Sequence, residues 1–262
     1  MKISTLVSAI LLVPVFAGCS TDSVHRLMRV RPVPLSDFLP GNERLVRQPD
    51  TFPFHYLWVD TNAVVAADFQ HVYIAPVDVT HLREGNGYDR LRDKLIGLDD
   101  DIDELGEFGR QAFVVAFSNN EARTEMKLVN DPKLPHTLVL EPAITAFVPT
   151  RAEISAIGTV AEFAVPGVGI VSDFLSDGSI AVECRVRDSG TDKVVAMFAD
   201  TESDPNALLG ISKFTYTSTA KINLKRIADH TVECCAADDR SQLRRAFPFE
   251  FISTPWDSDL DD

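Results

Sequence analysis

The sequence predicts an α+β domain with a mixed sheet of about four or five strands and two main helices packed on one face. Three observations predict it. Short β-branched and aromatic runs recur along the chain, at His71–Val79, Thr137–Val148, Ser179–Asp188 and Lys193–Thr201. Two long stretches, about Asp99–Asn119 and Thr217–Ala237, carry apolar residues at steps of three and four. The first of these helices lies between two strand signals, the pattern of a crossover between parallel neighbours.

The first residues read as a targeting signal and not as part of the fold. Met1-Lys2 is a short positive start, and Ile3 to Phe16 is mostly apolar but broken by Pro14. That run is shorter than the roughly 20 residues a bilayer core requires. Phe16-Ala17-Gly18-Cys19 follows. Small residues before the cut let an extended chain enter a signal peptidase, and the Cys19 thiol can take a diacylglycerol. The tetrapeptide resembles the bacterial lipobox, with Phe16 where Leu is usual. The signal is expected over residues 1–18, with Cys19 the lipidated first residue of the mature chain and the membrane its partner through that lipid. Ser20 is not the Asp that usually holds lipoproteins at the inner membrane. The expected location is therefore the outer membrane, facing the periplasm.

Residues 19–54 read as an acylated tether. Pro32, Pro34, Pro40, Pro49 and Pro53 break any long helix. His25, Arg26, Arg29, Arg31, Arg44 and Arg47 make this stretch basic. It is either a solvated linker or a segment drawn to anionic head groups. A single globular domain is expected over 55–252, and an acidic tail over 253–262.

His55–Asp60 is a short extended segment that opens the domain. In the His71–Val79 strand, Pro76 marks an edge, a bulge or the end. Gly87–Leu98 suggests a short helix. The Asp99–Asn119 helix presents Ile102, Leu105, Phe108, Ala112, Phe113, Ala116 and Phe117 on one stripe. In the strand after Ser179, Ile180, Val182, Cys184 and Val186 alternate with Glu183, Arg185 and Arg187. One face of the sheet is therefore expected to be buried and the other wet. Ser189-Gly190-Thr191-Asp192 carries turn chemistry. In the second long helix Leu224, Ile227, Ala228, Thr231, Cys234 and Cys235 share a side. Phe247–Ile252 is a candidate late edge strand.

The chain of 262 residues has 25 basic and 39 acidic side chains and a net charge of −14. Such a surface opposes phosphate binding, so nucleic acid is excluded as a partner class. No residue pattern implies a cofactor. Gly167-Val168-Gly169 lacks the third glycine of a dinucleotide fingerprint, and there is no Walker loop, metalloprotease helix or nucleophile elbow. Asp99, Asp101 and Asp103 have the spacing that opens a calcium loop. Glu104 and Arg110 then stand where Gly and the bidentate Glu belong, so the acids read as a helix N-terminus.

Cys184, Cys234 and Cys235 leave three alternatives open. They are a disulfide from Cys184 to Cys234 or Cys235, free thiols, or a zinc site of Cys184, Cys234 and His230. Ala156–Leu175 is rich in Ala, Val and Gly. It either covers the core or presents Val168, Ile170 and Phe174 as a surface for an envelope protein or a lipid.

The order of features resembles a family. Leu35-Ser36-Asp37-Phe38-Leu39 follows the lipobox, then come Leu57-Trp58-Val59-Asp60, Tyr73-Ile74-Ala75-Pro76-Val77, Ala143-Ile144-Thr145-Ala146-Phe147-Val148-Pro149, Ile180-Ala181-Val182-Glu183 and Asp188-Ser189-Gly190-Thr191. From about Leu35 to Ala237 this is similar to the Gram-negative lipoproteins classed as domain of unknown function thirty-three thirteen. The resemblance implies an outer-membrane lipoprotein of undefined role and brings no catalytic residues. The function expected is a non-enzymatic binding protein of the envelope. An accessory lipoprotein of lipid trafficking and a periplasmic hydrolase without a recognisable motif are the alternatives.

Overall fold

Alternation along one hairpin sets the frame. In a computed structural model, residues 32–49, 51–61, 69–84, 88–94, 97–147, 179–203, 217–237 and 243 are described. Strand β6 (Ile180–Asp188) pairs antiparallel with β7 (Val194–Glu202), joined by the turn at 189–193. Ile180, Val182, Cys184 and Val186 point to the main core, each 9% exposed or less. On β7 the residues opposite them include Phe198, Asp200 and Glu202.

Among the described residues the sheet has seven strands in the order β1-β2-β7-β6-β5-β3-β4. The strands beyond the hairpin are β1 (Val46–Arg47), β2 (Tyr56–Val59), β3 (His71–Ile74), β4 (Lys127–Leu128) and β5 (Thr137–Phe147). The strands expected at His55–Asp60, His71–Val79, Thr137–Val148, Ser179–Asp188 and Lys193–Thr201 are present. The count of four or five is corrected to seven because β1 and β4 add one edge each. Both are two residues long, too short to carry an alternating pattern. The β3–β5 and β3–β4 pairs are parallel and the rest antiparallel, so the sheet is mixed. Strand β3 stops before Pro76. The chain then touches β5 again at Asp78, whose backbone bonds Pro142 and Ile144 at 2.9 and 2.8 Å.

The crossover from β3 to β5 contains α1 (Thr80–Arg83), α2 (Tyr88–Lys94), α3 (Leu98–Asn119) and α4 (Glu121–Thr124). The acids at the start of α3 serve as helix N-terminus and loop ties. Asp99 accepts a hydrogen bond from Tyr88 Oη at 2.7 Å, and Asp103 pairs with Arg83 at 2.8 Å. Ile102, Leu105, Phe113, Ala116 and Phe117 enter the core, as their spacing predicts. A Cβ on Gly109 would lie 3.3 Å from Val77 Cγ2, so the absent side chain lets α3 lie close to the chain after β3. Helix α5 (Ser218–Ala236) packs beside α3 and buries Leu224, Ile227, Ala228 and Val232 in the same core. Lys221 reaches across to Glu104 at 2.5 Å.

The second face of the sheet is not wet throughout. Phe38 and Leu39 lie on it against Ala143, Met197 and Ala199. Ser36 donates to Glu183 from its backbone N–H at 2.7 Å and from its hydroxyl at 2.9 Å. Glu183 is buried beneath them. Arg185 and Arg187, half-exposed, share Glu141, and Arg185 also lies over the Phe38 ring at 4.8 Å. Further along, Phe52 and Phe54 enter the main core. Part of the stretch read as tether, from residue 32 to 54, is therefore folded. Its prolines break helices, but they do not prevent an extended chain from covering apolar strand residues. The candidate strand at 247–252 and the tail at 253–262 lie outside the described residues.

Candidate functional site

Strand β7 ends on two acids that its parity turns toward the helices. Phe198, Asp200 and Glu202 point the same way, at every second position. Asp200 and Glu202 are each 2% exposed. The pairing of Val182 with Asp200 and of Ile180 with Glu202 fixes them on the strand and not on a loop.

Three other side chains meet them. His55, just before β2, is buried with its Nδ1 2.5 Å from Asp200 Oδ1. The Thr201 backbone N–H approaches the same ring nitrogen at 3.3 Å. The His55 backbone N–H donates to the same oxygen at 3.2 Å. Arg226, on α5, approaches Glu202 Oε2 at 3.3 Å and Asn223 Oδ1 at 3.3 Å. His230, one turn further on α5, is 2% exposed. One ligand-capable atom each from Asp200, Glu202 and His230 lie within 4.8 Å of one another. Phe54 walls the site, stacked on Phe198 at 4.2 Å between centroids and edge-on to His230 at 6.4 Å.

This arrangement can hold a proton or a cation between two carboxylates and an imidazole. A narrow cleft beneath the entering chain is lined by Pro34, Leu35, Glu183 and Thr201 and borders His55 and Asp200 of this group. Burial pushes the Glu183 carboxyl above the usual range, against the lowering effect of the two Ser36 hydrogen bonds.

The cysteines are not in the convergent group. Cys184 is fully buried, Cys234 and Cys235 are half-buried, and all are thiols with no disulfide joining them. Burial raises the Cys184 thiol far above its ordinary value and pushes Cys235 up to about 12. His230 thus shares its site with Asp200 and Glu202, not with Cys184 and Cys234 as in the zinc alternative. The signal for this lay in β7, where two acids follow Phe198 on the core-facing parity of an otherwise apolar strand. Cys19, Val168, Ile170 and Phe174 lie outside the described residues.

Fold and site together define an α+β domain with a mixed sheet, two long helices on one face and a buried acid–histidine cluster at the end of its central hairpin. The chain belongs to the family described as "Protein of unknown function (DUF3313)", whose model matches residues 35–230. Among solved structures it is similar to the PelC dodecamer from Paraburkholderia phytofirmans, at 10% identity and a TM-score of 0.34. That match covers 70% of this chain and 96% of the other. A single-substitution variant of that dodecamer matches at 10% identity and a TM-score of 0.33, covering 66% and 90%. No curated protein matches.

Proposed function

We propose that the protein is a lipid-anchored component of the cell envelope, on the periplasmic face of the outer membrane, which acts by binding another envelope component. The observation that carries this reading is Phe16-Ala17-Gly18-Cys19 after an apolar run, with Ser20 directing the product outward. Among the described residues no helix is long and apolar enough to cross a membrane. The anchor in this reading is the lipid on Cys19.

The path of the chain supports it. Pro32 is 13 positions after Cys19. At about 3.3–3.6 Å per residue such a segment reaches at most about 45 Å, so the domain stays near the bilayer. The Val33 N–H donates to Thr201 Oγ1 at 3.2 Å, at the end of β7. At that same end Phe147 pairs with Ile180, and Ile180 with Glu202. Phe147 and Ile180, which flank the segment containing Val168, Ile170 and Phe174, therefore lie at the end of the sheet where Val33 enters. In this reading that segment is the first place to look for the partner surface.

The test has two parts. Wild type should incorporate labelled palmitate and fractionate with the outer membrane, and Cys19→Ser should do neither. A photo-crosslinker at Phe174 should capture an envelope component that one at Val46, on the β1 edge, does not. Unlabelled wild type, or wild type in the inner-membrane fraction, contradicts the proposed location. Equal capture from both positions contradicts the proposed surface.

A further inference from the structure

We propose that Asp200, Glu202 and His230 bind one divalent metal ion of the zinc class, with His55 holding Asp200 from the outer shell. The proposal is independent of the lipid anchor.

Geometry is the first support. The three ligand atoms lie within 4.8 Å of one another. A tetrahedral ion with bonds of about 2.0–2.2 Å holds its ligand atoms about 3.3–3.6 Å apart, so side-chain rotations that move these atoms by an ångström or so close the set. The donors come from rigid elements. Asp200 and Glu202 are two apart on β7 and pair with Val182 and Ile180 of β6, and His230 is in the body of α5.

Electrostatics is the second. Two carboxylates side by side, both 2% exposed, lose hydration and repel each other. Arg226 meets Glu202 from the half-exposed helix surface, and His55 meets Asp200 from beside β2. His230 faces both acids. A dication between them would offset the repulsion of the two carboxylates and take a lone pair of the ring.

The donor set selects the ion. One imidazole with two carboxylates suits Zn(II) and its first-row neighbours and disfavours Ca(II) and Mg(II), which prefer oxygen alone. The His55–Asp200 hydrogen bond has the form of the outer-shell contact that orients a ligand and tunes its basicity. A metal here would fasten α5, β7 and the chain before β2 to one another, so its role is structural.

The full-length protein in detergent, stripped with a chelator, is dialysed against Zn(II) and its metal content measured. One zinc per chain is expected, with a raised melting temperature. His230→Gln and Glu202→Gln should weaken zinc binding by at least about 100-fold, and His55→Gln by about 10- to 100-fold. Cys184→Ser and Cys234→Ser should leave binding unchanged. Because substitutions in this core can unfold the chain, Co(II)-loaded wild type is measured as well. Its visible spectrum should show nitrogen and oxygen ligation without thiolate charge transfer. Failure of the wild type to retain zinc, or a thiolate band in the Co(II) form, overturns the proposal.

Discussion

Replacing Phe54 with Ala tests whether the stretch before β2 belongs to the fold. Phe54 is 1% exposed and stacks on Phe198 at 4.2 Å, with Phe52 edge-on at 6.4 Å. Truncating a buried Phe costs about 3–5 kcal/mol, from lost transfer energy and the cavity left behind. In a domain of this size each kilocalorie lowers the melting temperature by about 2–4 °C. The expected fall is therefore about 6–20 °C, read by circular dichroism and by the urea midpoint at unchanged slope. Val46→Ala, at a residue 61% exposed, is the control and should stay within about 0.5 kcal/mol of wild type. A loss below about 1 kcal/mol for Phe54→Ala would refute the reasoning, because a linker residue loses little on truncation.

Other predictions follow from the same core. With Cys19 removed, the unreduced domain should titrate three thiols in denaturant. Cys184 and Cys235 should react slowly in the native state, because burial suppresses their thiolates; a count of one would show a disulfide. Desolvation raises the folded-state value of Glu183, so its contribution is full below the unfolded value, about 4.3, and is lost as pH rises through the folded one. Glu183→Gln should therefore gain stability relative to wild type between pH 4 and 7 in urea titrations, and a relative loss would contradict this. For Glu141, desolvation is outweighed by Arg187 and Arg185, and its value is lowered. Its contribution is present above the unfolded value and lost as pH falls through the folded one, so Glu141→Gln should cost most at neutral pH and least in acid; a cost independent of pH would contradict this. Val168→Asp and Ile170→Asp should keep the melting temperature and lose the crosslink if the segment is a docking surface; a collapse of both melting curves would instead make it core.

Periodic elements were legible in the sequence, and elements without a period were not. The stripe from Ile102 to Phe117 and the alternation from Ile180 to Val186 each repeat often enough to fix type and facing. Val46–Arg47 and Lys127–Leu128 become strands only because a neighbouring strand offers them hydrogen bonds. The stretch from Pro32 to Phe54 reads as linker by its prolines, yet Phe38, Leu39, Phe52 and Phe54 are buried by tertiary contacts that no local pattern encodes. His230 was visible as a helix residue one turn before Cys234. Its partners, Asp200 and Glu202, are close only because α5 crosses the end of β7. The acidic start of α3 is legible as a helix N-terminus, since the calcium-loop spacing fails at Glu104 and Arg110.

The most direct test of the anchored-lipoprotein reading is the intact mass of the protein purified from its native envelope, with sequencing of its N-terminal peptide. The account predicts a chain beginning at Cys19, heavier than its amino acids by a thioether-linked diacylglycerol. A chain that retains Met1, or one cut at another position with an unmodified Cys19, would contradict it.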